Sequence, residues 1–249
     1  MNTILKLDKV KASIDSKLII NDFNLEIGEG EIHVIMGPNG SGKSTLSKVL
    51  AGHPSYEIQT GNIYFNNENL LDLSPEERSH HGLFLAFQYP IEIAGVTNYD
   101  FLRIAYNERQ KYLNQSELDP LEFMNLVQIL LNKLKMRDEF LNRNLNEGFS
   151  GGEKKRNEIL QMLLLDPKMV ILDEIDSGLD IDALRIICEN ITSNLSKSSS
   201  VVVITHYPRI LEYLKPDFVH IMIQGKIVKT GGYELVEKLE ETGYSEFLE

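Results

Sequence analysis

The chain has 249 residues, of which 42% are hydrophobic and 25% charged, a balance typical of a globular protein with one large or two small domains. This composition excludes a disordered or fibrous protein. The chain has 25 Lys and Arg residues against 37 Asp and Glu residues, which gives a formal net charge of −12. A surface this acidic repels phosphate backbones, so no nucleic-acid partner is expected.

The cysteine content and the lengths of the apolar runs exclude further classes of protein. The single cysteine, Cys188, cannot form an internal disulfide or a multi-thiolate site for zinc or an iron–sulfur cluster, and its spacing from Leu184 and Ile191 predicts burial. No apolar run approaches the roughly 20 residues of a membrane-spanning helix. Residues 1–9 lack the pattern of a secretion signal or transit peptide. We expect a protein of a reducing compartment without direct membrane insertion.

The first third of the chain has the pattern of strands and one glycine loop. Residues 3–35 contain short apolar stretches between turns, which are typical of antiparallel strands at a sheet edge. Residues 32–36 are almost continuously apolar and residues 46–50 have helical spacing, so a strand, a glycine loop and a helix are predicted. Residues 61–68 predict another strand and turn, and Ser-Pro-Glu-Glu at 74–77 predicts a helix start.

The middle of the chain has a different pattern. Residues 89–165 have helical periodicity without strand-like alternation. We therefore predict a helical subdomain, residues 89–165, inserted into an α/β core formed by residues 1–88 and 166–249.

The last third returns to sheet character. Two continuous apolar runs, at 169–172 and 201–205, flank a predicted helix at about 182–195 and are typical of buried parallel strands. Residues 233–249 predict an acidic amphipathic helix, with Leu235, Val236 and Leu239 on one stripe.

The glycine loop has the spacing of a phosphate-binding loop. In Gly-Pro-Asn-Gly-Ser-Gly-Lys-Ser at 37–44, backbone N–H groups bind phosphate oxygens, Lys43 reaches the terminal phosphates and the Ser44 hydroxyl ligates Mg²⁺. Chance would produce this pattern in about one chain in a hundred of this length. The residues expected to bind the nucleotide here are Gly37, Pro38, Asn39, Gly40, Ser41, Gly42, Lys43, Ser44 and Thr45.

A phosphate loop also needs a carboxylate for the metal, carried on a buried strand. Asp173 and Glu174 end the apolar run at 169–172. We predict that Asp173 holds Mg²⁺ through water and that Glu174 is the general base for the attacking water. On its own, the same pattern also fits a strand that ends in two solvated acids.

A third motif begins a predicted helix. Ser150 and Glu153 have the spacing of a capping box, with Gly151 and Gly152 between them. The free N–H groups and dipole of such a helix start also form an anion site. The residues alone leave both interpretations open.

Six motifs together resemble, in order and spacing, the nucleotide-binding domains of ABC ATPases. They are the phosphate loop, Gln88, Ser150–Glu153, Asp173–Glu174, Ser177–Asp180 and His206. The resemblance implies a P-loop NTPase fold of the ABC type, with a mixed sheet, antiparallel edge strands and an inserted helical subdomain. Within this family the SufC branch, stand-alone ATPases of the SUF iron–sulfur assembly system, is most similar at residues 36–47, 86–90, 148–157, 176–184, 205–207, 215–220 and 224–229.

The resemblance also implies roles for further residues. Gln88 would be a metal ligand that links the metal and water to the helical subdomain, and His206 would contact the γ-phosphate and hold the attacking water. The γ-phosphate of ATP held by a second subunit would be contacted by the start of the signature helix and by one residue at the same interface, namely Ser150, Gly151, Gly152 and Asp180.

The function implied by the resemblance is MgATP hydrolysis in a head-to-tail homodimer, or a pseudo-dimer within a complex. Its partners would be SufB- and SufD-like scaffold proteins docked near Gln88 and Tyr89, in a bacterial cytoplasm or a plastid stroma. One alternative is the ATP-binding subunit of a membrane transporter. The other is a nucleotide-binding interaction module without turnover. The intact set of Lys43, Asp173, Glu174 and His206 argues against it.

Two features qualify the resemblance. Residues 11–16 lack the aromatic residue on which many ABC domains stack adenine, which puts the preference for ATP over GTP in doubt. The basic run 154–156 is interpreted as the solvated face of its helix; the alternative is that one lysine pairs with Glu174 in the resting monomer.

Overall fold

The computed structural model describes residues 2–247. Within this range the strands, in chain order, are β1 (Thr3–Ile14), β2 (Lys17–Gly28), β3 (Ile32–Met36), β4 (Glu57–Phe65), β5 (Glu68–Asn69), β6 (Leu83–Ala86), β7 (Ile93–Thr97), β8 (Asn144–Leu145), β9 (Met169–Asp173), β10 (Ser200–Ile204), β11 (Phe218–Ile223) and β12 (Lys226–Gly231). The α-helices are α1 (Lys43–Ala51), α2 (Pro75–His80), α3 (Asn98–Tyr112), α4 (Pro120–Lys133), α5 (Gly151–Leu165), α6 (Ile181–Asn194) and α7 (Glu234–Thr242).

The chain divides into two compact units by its backbone contacts. Unit 1 comprises Met1–Leu85, Lys168–Glu174 and Ser196–Glu249, and unit 2 comprises Ala86–Pro167 and Ile175–Leu195. Each unit is built around its own buried apolar residues.

Unit 1 contains two sheets. The six-stranded sheet has the order β12-β11-β3-β10-β9-β6, in which β11, β3, β10 and β9 run parallel and β12 is antiparallel to β11. The four-stranded sheet has the order β2-β1-β4-β5 and is antiparallel. Their common core includes residues of β1, β2, β3 and β9, together with Leu46, Val49 and Leu50 of α1. The loop at 37–42 connects β3 to α1, and both elements contribute side chains to this core, so both ends of the loop are fixed.

Unit 2 contains α3, α4, α5 and α6 and a two-stranded sheet of β7 and β8. Its buried side chains come from several of the helices and include Phe123 and Leu131 of α4, Ile159 of α5 and Ile187 of α6. Cys188 of α6 is buried as predicted, and burial raises the pKa of its thiol to about 12.

Most elements predicted from local pattern are confirmed. The strand, glycine loop and helix are β3, residues 37–42 and α1, and the runs at 169–172 and 201–205 are the neighbouring parallel strands β9 and β10. Ser74 starts α2 with a reciprocal capping box, and Pro75 is its first residue. Within residues 2–247 the structure has no helix with the length and apolarity needed to cross a membrane.

Three details differ from the sequence-based expectations. The segment 89–165 contains the strands β7 and β8, whose few paired positions and register shift leave no alternating pattern in the sequence. Residues 175–195, expected in the core, belong to unit 2, because Asn190 of α6 donates to the Lys133 carbonyl (3.2 Å) and Lys133 donates to Asn194 (2.6 Å).

The third difference is at the C-terminus. The helix expected over 233–249 is shorter: α7 ends at Thr242, where Gly243 takes a φ of 68° and donates its N–H to the Leu239 carbonyl at 2.9 Å. The predicted apolar stripe is buried, as Leu235, Val236 and Leu239 show. Residues 248–249 of the predicted helix lie outside the described range.

Candidate nucleotide-binding site

The phosphate loop of unit 1 depends on glycine at specific positions. A Cβ at Gly37 would lie 2.1 Å from the Met222 carbonyl oxygen, so only glycine fits beside β11. Gly40 and Gly42 have φ values of 80° and 105°, in the region that favours glycine, and Gly42 is the N-cap of α1. No atom lies within 4 Å of a Cβ built at Gly40, which leaves the tip of the loop open.

Lys43, the first residue of α1, points back into this loop. Its Nζ donates to the carbonyl oxygens of Gly37 (2.7 Å) and Pro38 (3.2 Å). Burial lowers the pKa of Lys43, and the nearby carboxylates of Glu174 and Asp173 oppose that shift. The ammonium group is therefore buried inside the loop that would surround a phosphate.

The other predicted loop residues lie around the same turn. Asn39 is exposed, Pro38 and Thr45 are half-buried, and the Ser41 N–H donates to the Pro38 carbonyl at 3.2 Å. The Ser41 hydroxyl is buried and makes no hydrogen bond to any residue in the described range. A buried hydroxyl without a partner is costly, and a nucleotide phosphate would supply an acceptor.

Asp173 ends β9 next to α1. Its Oδ1 accepts a hydrogen bond from the Ser44 hydroxyl (3.2 Å) and its Oδ2 accepts one from Ser47 (2.6 Å). Burial raises the pKa of Asp173, while the two serine hydroxyls oppose this shift. The hydroxyl of Ser44 and the carboxylate of Asp173 are the hard oxygen ligands that Mg²⁺ prefers, so these two residues fit a magnesium ion bound together with nucleotide phosphates.

Ser47 is a site residue that the sequence analysis did not identify. It lies three positions after Ser44, so both hydroxyls occupy the same face of α1 and both reach Asp173. That spacing was the available signal, because a second hydroxyl at i+3 on this helix must face the same strand end.

Glu174 follows Asp173 in a left-handed backbone conformation. Its φ is 48°, which is uncommon for a residue with a side chain, and its N–H donates to the Ile204 carbonyl at 2.9 Å. Oε1 of Glu174 lies 3.4 Å from Nδ1 of His206, an ion-pair distance but not a formed hydrogen bond. The backbone turn therefore places this carboxylate beside the imidazole that follows β10.

The signature residues of unit 2 form the predicted capping box. The Ser150 hydroxyl accepts from the Glu153 N–H (3.3 Å), and the Glu153 carboxylate accepts from the Ser150 N–H (2.7 Å). That second bond is the main reason why the pKa of Glu153 is lowered. Gly151 is exposed and a Cβ there would meet no atom within 4 Å, whereas a Cβ at Gly152 would contact Leu179 at 3.7 Å.

The remaining predicted site residues also lie in unit 2. Asp180 is the N-cap of α6 and accepts the Ala183 N–H at 2.7 Å. Gln88 is half-buried in the segment that follows β6. The structure thus gathers the phosphate loop, Asp173, Glu174 and His206 in unit 1, and Gln88, the signature residues and Asp180 in unit 2.

The basic run after the signature is not a solvated face, which corrects the favoured expectation. Lys154 pairs with Glu92 (2.5 Å), and Lys155 is buried with its Nζ bonded to the carbonyl oxygens of Phe87 (2.5 Å) and Gln88 (2.8 Å). A buried ammonium needs such acceptors, and the sequence pattern does not reveal them. The alternative, a lysine paired with Glu174, stays a prediction.

Comparison with known proteins shows the family. Residues 20–177 match the family model described as "ABC transporter". A "Probable ATP-dependent transporter ycf16" of Cyanophora paradoxa is 60% identical over 241 residues, which cover 97% of this chain and 93% of that protein. A "Probable ATP-dependent transporter slr0075" of Synechocystis is 57% identical, with 97% and 94% covered. An Arabidopsis thaliana protein, "ABC transporter I family member 6, chloroplastic", is 54% identical, with 91% and 67% covered.

Solved structures agree in fold. The "ATP binding subunit of ABC transporter" has a TM-score of 0.81 at 22% identity, and covers 99% of this chain and 100% of that chain. A dimeric bacterial ABC transporter cassette has a TM-score of 0.76 at 21% identity, with 92% and 98% covered. The chain belongs to the ABC transporter family: it is an ATPase with the α/β P-loop NTPase fold of an ABC cassette.

Proposed function

We propose that this ABC ATPase hydrolyses MgATP in a head-to-tail dimer and thereby drives a change of shape in SufB- and SufD-like scaffold proteins during iron–sulfur cluster assembly. The observation that carries the hydrolytic part is the grouping in unit 1. Lys43, the Ser44–Asp173 pair and the Glu174–His206 pair lie around one phosphate loop.

Binding of the nucleotide follows from the loop. Backbone N–H groups and the ammonium of Lys43 neutralise the phosphate charge, and the Ser41 hydroxyl gains an acceptor. Ser44 and Asp173, with Gln88 as a further ligand, would hold Mg²⁺. The bound Mg²⁺ supplies a Lewis acid that stabilises charge on the phosphate oxygens.

Hydrolysis requires a base for the attacking water. The Glu174 carboxylate accepts a proton from this water as its oxygen bonds to the γ-phosphorus, and ADP leaves with the electron pair of the broken P–O bond. His206, 3.4 Å from that carboxylate, orients the water and contacts the γ-phosphate. Both residues are held by the ends of neighbouring parallel strands, β9 and β10.

The dimer is proposed because unit 2 carries a helix N-terminus that could bind an anion, whereas the phosphate loop belongs to unit 1. Ser150 and Gly151 begin the 15-residue helix α5 with an exposed and unobstructed N-terminus. Ser150, Gly151 and Gly152 would contact the γ-phosphate of ATP held by a second copy, with Asp180 at the same interface. Hydrolysis by an isolated monomer is therefore expected to be slow.

The proposal of scaffold partners rests on the similarity of residues 148–157 and 176–184 to the SufC branch. Exposed apolar side chains next to Gln88 support a docking surface, since Tyr89 is 78% and Ile91 65% exposed. A chloroplastic relative in Arabidopsis thaliana and a relative in Synechocystis support a plastid stroma or a bacterial cytoplasm as the compartment.

A second candidate function is the ATP-binding subunit of a membrane transporter. The relatives' own names, "Probable ATP-dependent transporter", favour it. In that case, the apolar residues beside Gln88 would contact the cytoplasmic helices of a permease instead of a scaffold protein.

Reconstitution distinguishes the two candidates. The chain is mixed with purified SufB- and SufD-like proteins of the same organism, and phosphate release is measured with wild type and Glu174→Gln. The scaffold proposal predicts a stable complex without detergent and faster phosphate release in wild type only. Failure to bind these proteins, together with co-purification of a permease in detergent extracts, would support the transporter function.

A further inference from the structure

The segment 87–92 of unit 2 is tied to helix α5 by a set of polar contacts that the proposed function does not use. Glu158 Oε1 accepts the Phe87 N–H at 2.8 Å, and Lys155 Nζ donates to the carbonyl oxygens of Phe87 (2.5 Å) and Gln88 (2.8 Å). Lys155 and Glu158 are separated by three positions, so both project from one face of α5. Three main-chain polar groups of the adjacent residues Phe87 and Gln88 are thus held by two side chains.

These two side chains are both ionisable and buried. Lys155 and Glu158 have side-chain exposures of 5% each, and Nζ lies 3.8 Å from Oε2 of Glu158, too far for a hydrogen bond. Burial raises the pKa of Glu158 to about 7, against the opposing effects of Lys155 and the Phe87 N–H. An apolar pair of similar volume is often at least as stable as a buried ion pair, so stability alone does not explain these residues.

A second group on α5 holds the far end of the same segment. Asn157 exchanges hydrogen bonds with Asn98 (2.8 and 3.1 Å) and donates to Asn146 (3.0 Å), which in turn donates to the Ile91 carbonyl (2.8 Å). Lys154 pairs with the half-exposed Glu92 side chain, an ion pair that holds no main-chain group of the segment. Helix α5 therefore fixes the segment on both sides of Tyr89, while the Tyr89 side chain stays exposed.

We infer that Lys155 and Glu158 form a clamp that fixes the main chain at Phe87 and Gln88 to the signature helix, and that they are positioning residues for Gln88. Because Ser150–Gly152 begins the same helix, the clamp makes the main chain next to Gln88 follow any movement of the signature residues. This inference rests on the proposed role of Gln88 as a metal ligand. The clamp itself rests only on the contacts within unit 2.

The test uses matched variants and two measurements. Glu158→Gln keeps an oxygen acceptor for the Phe87 N–H, whereas Glu158→Leu removes it. Lys155→Met removes the ammonium group that forms the clamp, whereas Lys154→Met removes the neighbouring ammonium group. Hydrogen exchange of the Phe87 amide reports the clamp directly. The Mg²⁺ concentration for half-maximal ATPase activity, measured separately from kcat at saturating Mg²⁺, reports the position of Gln88.

We expect Glu158→Leu to raise exchange of the Phe87 amide, and both Glu158→Leu and Lys155→Met to raise the half-maximal Mg²⁺ concentration about tenfold or more. Their kcat at saturating Mg²⁺ should change much less. Glu158→Gln should give near wild-type values of Phe87 amide exchange and of the half-maximal Mg²⁺ concentration. Lys154→Met should leave both values unchanged. A general loss of stability would not give this separation.

Two results would overturn the inference. The hydrogen bond is not a clamp if Glu158→Leu leaves exchange of the Phe87 amide unchanged. The clamp does not position Gln88 if exchange rises while the Mg²⁺ dependence stays that of wild type. Gln88→Ala is the reference: if it leaves the Mg²⁺ dependence unchanged, the proposed metal role of Gln88 fails, and the clamp is then decided by exchange alone.

Discussion

At the scale of single residues, the candidate site depends on the contacts that orient the carboxylates of Asp173 and Glu174. Asp173 is buried and accepts hydrogen bonds from two serines of α1, so its carboxylate has a fixed orientation. Glu174 is held by its left-handed backbone and by its N–H bond to Ile204. A non-glycine residue in that conformation costs on the order of 1 kcal/mol, which the surrounding strands offset.

Ser47 provides a test of this orientation. Ser47→Ala leaves Oδ2 of the buried Asp173 without its 2.6 Å hydrogen bond, and we expect ATPase activity to fall about tenfold. Ser44→Ala should lower ATPase activity further than Ser47→Ala does, because it removes a proposed metal ligand. Steady-state phosphate release across a Mg²⁺ titration measures both. Equal activity in Ser47→Ala and wild type would show that Asp173 does not need the Ser47 hydrogen bond.

Glu158 gives a prediction about stability and pH. Its pKa is raised from 4.5 to about 7 in the folded protein, so between these values the folded state binds more protons than the unfolded state. The contribution of Glu158 to the free energy of unfolding therefore falls as pH rises through this window. Urea denaturation should show that Glu158→Gln gains stability relative to wild type between about pH 5 and pH 7.5. A constant difference over this range would contradict the raised pKa.

At the scale of elements, the sequence predicted the features that depend on residues close together in the chain. The capping boxes at Ser74 and Ser150, and the passage from β3 through the glycine loop to α1, depend on residues within a few positions of one another. The membership of α6 in unit 2 and the burial of Lys155 depend on residues far apart in the chain, such as Lys133 and Phe87. No short-range pattern carries that information, so these features were missed.

The phosphate loop gives a prediction at this scale. Gly37→Ala would place a Cβ against the Met222 carbonyl, and we expect a loss of about 2–3 kcal/mol in the free energy of unfolding and no nucleotide binding. Gly40→Ala is the matched control: it meets no neighbour and only has to adopt a positive φ, at a cost of about 1 kcal/mol. Chemical denaturation and binding of a fluorescent ATP analogue measure the two effects. Equal losses in both variants would show that the contact with β11 is unimportant.

At the scale of the whole molecule, the proposed mechanism needs two copies of the chain. Each copy carries a phosphate loop and the proposed general base Glu174 in unit 1, and an exposed helix N-terminus at Ser150 in unit 2. ATP binding is expected to bring two copies together, and hydrolysis to release them. The net charge of −12 opposes this association, and bound Mg²⁺ together with Lys43 supplies positive charge only locally.

The most direct test is the oligomeric state of Glu174→Gln with MgATP. The amide cannot take the proton from water, so ATP should persist and the variant should elute from gel filtration as a stable dimer, with phosphate release reduced about a hundredfold or more. Wild type should elute mainly as a monomer under the same conditions. The double variant Glu174→Gln, Lys43→Ala should also stay monomeric, because it cannot bind the phosphates. A purely monomeric Glu174→Gln with ATP bound would contradict the proposed dimeric mechanism.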